Sequence, residues 1–114
     1  MPDTPTLETL LVLIAGHALA DYPLQADFLA KGKNHRAPIP GIDWPIILLA
    51  HALIHGLTVY ALTGSAALLV LESVLHTVID WAKCEGLTSF RVDQALHVAC
   101  KVVYVLAGAS LWWL

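Results

Sequence analysis

Polar residues that recur four apart inside apolar segments constrain this chain more than anything else in it. His17 and Asp21, His51 and His55, His76 and Asp80, and Asp93 and His97 are four such pairs, each set among Leu, Ala, Val and Ile. A spacing of four places both members on one helix face, one turn apart. The positions also lock into register. In an antiparallel helix hairpin, residues at one level have a constant index sum. His17 with His55 and Asp21 with His51 share the sum 72, and His76 with His97 and Asp80 with Asp93 share 173. Two hairpins would therefore bring eight metal-type side chains into two adjacent layers.

The surroundings of these residues point to a bilayer. Of 114 residues, 58% are apolar and only 13% are charged, against roughly 25% charged in ordinary soluble domains. A single domain of this length needs a polar shell that the composition does not supply. The expectation is one integral membrane domain over residues 1–114. A soluble helical bundle that buries its histidines is the competing reading, and the lack of a broad polar face counts against it. A net charge of -3 argues against nucleic acid as a partner. Cys84 and Cys100 do not suggest a disulfide framework.

Four helices are expected, at about 6–22, 44–62, 65–83 and 90–113, forming an all-α, four-helix transmembrane bundle of two similar antiparallel hairpins. Pro23 stops the first. Asp43 and Pro45 open the second as N-cap and first-turn proline. Thr63-Gly64-Ser65 is a tight turn, and Glu85-Gly86 closes the third helix. The stretch from Gln25 to Gly41 reads as a surface loop with a short amphipathic piece.

Basic residues set the expected topology. Lys31, Lys33 and Arg36 lie between the first two helices, Lys83 and Arg91 between the last two, and none at either terminus or in the central turn. The positive-inside rule then places both longer loops in the cytoplasm and both termini outside, in a multi-pass protein of the cell inner membrane. Trp44 and Trp81 would mark the inner interface, and Trp112 and Trp113 the outer one. Leu10 to Gly16 resembles a short signal core, but the segment before it has acidic Asp3 and Glu8 and no basic residue, which is wrong for a secretory signal. The two hairpins also look duplicated. His17-Ala-Leu-Ala-Asp21-Tyr22 parallels His76-Thr-Val-Ile-Asp80-Trp81, and His51-Ala-Leu-Ile-His55 parallels Asp93-Gln-Ala-Leu-His97.

Ionisable residues inside a membrane are costly and are functional candidates by default. One layer would hold Asp21, His51, Asp80 and Asp93. The next, about 6 Å deeper, would hold His17, His55, His76 and His97. Five His and three Asp suit one tetrahedral zinc or two ions about 3.5–4 Å apart, with iron or manganese as other divalent candidates. A hydrogen-bonded network without metal is the bland alternative. Haem fits less well, because the adjacent carboxylates crowd the cavity it needs. One turn deeper, Glu72 and Lys101 share the sum 173 and suggest an ion pair. If catalytic, Glu72 would be a base or proton relay tuned by Lys101. Gln25 and Lys83 stand at the inner mouth, where they could bind an anionic substrate group.

The string His17-Ala-Leu-Ala-Asp21-Tyr22-Pro23-Leu24-Gln25 resembles the opening motif of a small bacterial and phage membrane-protein family catalogued only as a domain of unknown function. The resemblance continues through His51-Ala-Leu-Ile-His55-Gly56, Glu72, His76-Thr-Val-Ile-Asp80-Trp81-Ala-Lys83 and Asp93-Gln94-Ala-Leu-His97. It implies a helical membrane domain and brings no activity with it. The His/Asp pattern is also loosely similar to membrane-bound metal-dependent hydrolases. The leading expectation is a membrane metalloprotein with its site near the cytoplasmic face, hydrolysing a lipid or other amphiphile by a metal-bound water. The alternatives are metal-ion or proton transport and a non-catalytic assembly component. Partners would be the lipid bilayer and a second copy or a membrane complex.

Overall fold

The computed structural model describes residues 7–107. Over that range the chain is all-helical, with α1 at Leu7–Asp21, α2 at Ala26–Gly32, α3 at Trp44–Thr63, α4 at Ala66–Cys84 and α5 at Phe90–Ala107. Trp112 and Trp113, the expected outer belt, lie outside the described residues, as does the end of the expected last helix.

Local chemistry sets the boundaries. Pro23 cannot donate to a continuing ladder, so α1 closes just before it. Gly64 ends α3 in the left-handed conformation, with φ 76° and its N–H on the Tyr60 carbonyl. Ser65 follows at once as the N-cap of α4, its Oγ accepting from the Leu68 N–H at 3.1 Å. Gly86, also at positive φ, turns the chain out of α4.

Where four helices were expected there are five, because the long connection contains α2. Its Ala, Leu and Lys are good helix formers, and Asp27 pairs with Lys31 one turn on at 3.0 Å. The axis turns by 83° between α1 and α2, so α2 lies across the end of the bundle and packs against α3.

The four long helices form a ring in which α1 touches α3 and α5, and α4 touches α3 and α5. The most extensive helix contact is α3 on α4, and Gly56 lets the two come close. A Cβ there would run into the Ser73 hydroxyl and stand 2.8 Å from the Leu69 carbonyl oxygen. This approach stacks His55 on His76, with ring centroids 3.7 Å apart.

The interior is unusually polar. The interior holds His17, Asp21, Lys33, His51, His55, Glu72, His76, Asp80, Asp93, His97 and Lys101, while Leu7, Leu11, Leu57, Val70, Val78 and Leu106 are exposed. A small apolar cluster of Leu13, Val59, Leu68 and Tyr104 packs farther along the ring. Among the described residues α3 alone is long and apolar enough to cross a membrane, with α1 and α2 passing only as a bent pair. Helices α4 and α5 each carry three charged residues in their sequences, and two of the three in each are buried.

One end of the bundle is fastened by aromatic and ionic contacts. His35, from the connection after α2, stacks on Trp81 with planes 4° apart and lies 5.3 Å from Trp44. Its ring also pairs with Glu85, which Arg36 approaches at 3.5 Å. The hydrogen bond from His35 holds the Glu85 carboxyl below its ordinary value.

The two glycines at helix contacts should respond differently to alanine. At Gly16 the added Cβ meets side-chain methyls of Leu62 and Thr58 and no backbone. At Gly56 it meets backbone. Gly56→Ala should cost about 1–3 kcal/mol and Gly16→Ala less, measured as unfolding midpoints. Equal midpoints would show that the α3–α4 approach is not rigid.

Candidate metal centre

The buried polar residues converge on one volume. Helix α1 contributes His17 and Asp21 from successive turns, α3 contributes His51 and His55, α4 Glu72, His76 and Asp80, and α5 Asp93, His97 and Lys101. Spacings of four give each helix one inward polar face, so the ring closes around imidazoles and carboxylates. The rings of His17, His55, His76 and His97 lie in a cluster, with His55–His76 at 3.7 Å, His76–His97 at 4.2 Å and His17–His97 at 5.0 Å between centroids. His51 joins it 4.8 Å from both His55 and His76.

Asp21 is the most heavily engaged carboxylate. Its Oδ1 lies 3.2 Å from His51 Nε2 and 3.3 Å from His55 Nε2. Its Oδ2 accepts from the Gln94 amide at 2.7 Å. Asp80 has a partner that register does not suggest. It pairs with Lys33, whose ammonium is 2.6 Å away and is also held by the Gln25 carbonyl oxygen. A lysine that reads as a solvent-facing loop charge is thus 4% exposed. The reason is α2, which carries the chain across the bundle end and delivers Lys33 at its C-cap. Gln25 also donates to the Asp21 carbonyl oxygen at 2.8 Å. It braces this corner and does not stand free at a mouth. Lys83 lies elsewhere, its ammonium 5.1 Å from the centre of the Phe90 ring.

The deeper layer is a closed clamp. Lys101 donates to Glu72 Oε1 at 2.5 Å and the Tyr104 hydroxyl to Oε2 at 2.6 Å. Both carboxylate oxygens are engaged. Tyr104 is a participant that sequence reasoning missed, although it follows Lys101 by three and so shares its face. Gln94 was also missed as a functional residue. It donates to Asp21 and, at 3.1 Å, to Asp93 Oδ2, while its carbonyl oxygen accepts from Tyr22 and His17, both at 3.0 Å. Its signal was position, three residues before His97 on the inward face of α5.

Several buried atoms have no hydrogen-bond partner, among them both ring nitrogens of His76, Nδ1 of His17 and of His51, Nε2 of His97 and Oδ1 of Asp93. An orphaned buried polar group costs about 1–3 kcal/mol, and imidazole nitrogens and a carboxylate oxygen are the donor types that a bound cation would satisfy. Two groups have ligand atoms all within 4.8 Å of one another: Asp21, His51, His55 and His76, and His17, His76 and His97. Charge leads to the same place. Among the described residues the buried charged side chains are four carboxylates, Asp21, Glu72, Asp80 and Asp93, and two ammoniums, Lys33 and Lys101. Counted with neutral imidazoles, the interior has a formal charge of two negative units, which one divalent ion would balance.

The Lys33–Asp80 pair admits a direct test. Lys33→Met strands a buried carboxylate and should cost about 3–5 kcal/mol. Adding Asp80→Asn removes that charge and should restore part of the loss. Additive effects in this double-mutant cycle would mean that the two side chains do not act as a pair.

Residues 9–112 match the sequence family described as a protein of unknown function, DUF3307. No curated protein matches this chain, and no solved structure does.

Proposed function

Because the chain belongs to the DUF3307 family, whose membership carries no activity with it, we propose a function from the site alone: a membrane-embedded metalloprotein that holds one divalent ion, zinc foremost, among its four long helices. What supports this is the cluster of buried imidazole nitrogens without hydrogen-bond partners, beside a formal excess of two carboxylates over ammoniums. Asp21, His51, His55 and His76 bring three imidazoles and one carboxylate together, and His17, His76 and His97 bring three imidazoles that would leave a coordination place for water, donor types that zinc favours. Mixed imidazole and carboxylate donors also admit iron or manganese.

The apolar exterior supports the bilayer as surroundings. Leu and Val side chains that water would penalise face outward around the ring, and the long dimension of 47 Å compares with about 40–45 Å for a bilayer with its headgroups. Trp44, Trp81 and the basic connections gather at one end, which is the cytoplasmic end in this reading.

The reaction that best suits such a centre is hydrolysis of an ester or phosphoester on a lipid or other amphiphile. A bound divalent ion acts there as a Lewis acid and lowers the pKa of water toward neutrality. This chain's residues supply the rest. Asp93 Oδ1 has no hydrogen-bond partner and is the carboxylate atom available to accept a proton. Glu72, engaged at both oxygens, braces the helix turn below His76. An apolar groove of about 340 Å³ between α3 and α4, bounded by Trp44 and Trp81, suits an acyl chain. Passage of ions through the bundle is disfavoured by the Leu13, Val59 and Leu68 cluster, which interrupts the polar interior.

Two experiments test this reading. Protein purified without added metal should contain one zinc per chain by elemental analysis, and a chelator should lower its melting temperature, since an ion bound only to the folded state stabilises by linkage. His76→Ala should abolish both. Folded protein that is free of zinc, iron and manganese and indifferent to chelator would leave only a structural network. For topology, with Cys84 and Cys100 replaced, Asn34→Cys and Ala66→Cys should react with an impermeant thiol reagent from opposite sides of the membrane. Labelling of both from one side would sink the spanning arrangement.

A further inference from the structure

The two ligand groups are not independent, and that has chemical content. Both contain His76. Its ring centroid lies 3.7 Å from His55, 4.8 Å from His51, 4.2 Å from His97 and 6.3 Å from His17. Its nitrogens are uncommitted, with Nδ1 3.8 Å from Glu72 and Nε2 3.8 Å from Asp80, both beyond hydrogen-bonding reach. Resting on the reading of the interior as a metal centre, we propose that the bundle offers two overlapping positions for a single divalent ion, Asp21/His51/His55/His76 and His17/His76/His97, and that the ion exchanges between them about the shared His76.

The positions differ in what they can do. The first has four protein ligands and is closed, the arrangement of a structural site. The second has three imidazoles and leaves a coordination place open, the arrangement of a catalytic one. Beside it, Asp93 Oδ1 stands 3.6 Å from His97 Nε2 with no hydrogen bond made. A carboxylate there can orient a ligating imidazole or accept a proton from a molecule in the open place. One ion balances the buried carboxylates. A second would leave the interior with two surplus positive charges and would compete for His76, so occupancy is exclusive. The closed position is the resting state and the open one the working state.

Titration with zinc, and with cobalt(II) as a spectroscopic substitute, distinguishes this from a single site. The wild-type chain should bind one ion. His51→Ala disables only the closed position and His97→Ala only the open one. Each should keep one ion per chain with affinity reduced by no more than about tenfold. The two cobalt(II) spectra should differ from each other, because one variant retains three imidazoles and the other three imidazoles and a carboxylate. His76→Ala, which touches both positions, should lose more than about a hundredfold. The comparison of His51→Ala with His97→Ala decides the matter even where His76→Ala fails to fold. Two ions per wild-type chain would overturn exclusive occupancy. A His97→Ala protein with wild-type affinity and spectrum, beside a His51→Ala protein that binds nothing, would reduce the centre to its closed position. A folded wild-type chain that binds neither ion would instead remove the metal reading beneath both.

Discussion

Everything in this molecule answers to the need to satisfy ionised groups that water cannot reach. A carboxylate moved into an apolar interior is tolerated only when paired and hydrogen-bonded. Four are buried here, and each has a different remedy. Glu72 has Lys101 and Tyr104, Asp80 has Lys33, Asp93 has Gln94, and Asp21 has Gln94 and two imidazoles. These links join the four long helices across an interior in which the apolar cluster of Leu13, Val59, Leu68 and Tyr104 is small.

The matched hairpins solve one problem in two ways. Asp21 and Asp80 occupy corresponding places, each four residues after an inward histidine. Asp21 is served by an amide from α5, the opposite hairpin. Asp80 is served by an ammonium from the connection within the first hairpin. The neutral partner leaves Asp21 its charge and directs it at imidazoles, while the cationic partner neutralises Asp80. The centre is therefore electrically lopsided, with its uncompensated negative charge on Asp21 of α1 and Asp93 of α5, the two carboxylates that have no ammonium beside them.

Much of this was legible in the chain because helical periodicity is local. The four-residue spacings set the inward faces, and the index sums set the neighbours Asp21–His51, His17–His55 and Glu72–Lys101. Residues whose role depends on a change of chain direction were not legible. Lys33 looks like Lys31 and Arg36 in sequence, and only the bend after α1 and the length of α2 separate the buried one from its exposed neighbours. Register places Asp80 level with Asp93 but does not reveal its pairing with Lys33, because no local pattern announces an ammonium arriving from another segment. Gln94 was passed over because an amide beside an aspartate is an ordinary surface pair unless both are known to face inward.

The Gln94 bridge has a consequence for its neighbour's proton. Its amide nitrogen faces two carboxylates, Asp21 and Asp93, which can only accept. That fixes which end of the amide is which, with the carbonyl oxygen turned toward Tyr22 and His17. An oxygen can only accept, so His17 must carry its hydrogen on Nε2. The tautomer of His17 is thereby selected from α5, and the lone pair it retains is on Nδ1, the atom that no protein donor meets. A change of Gln94 to Glu would preserve the acceptor and forfeit the donor, setting three carboxylates against one another in the same corner. Gln94 to Leu would spare that repulsion and release the imidazole to either tautomer.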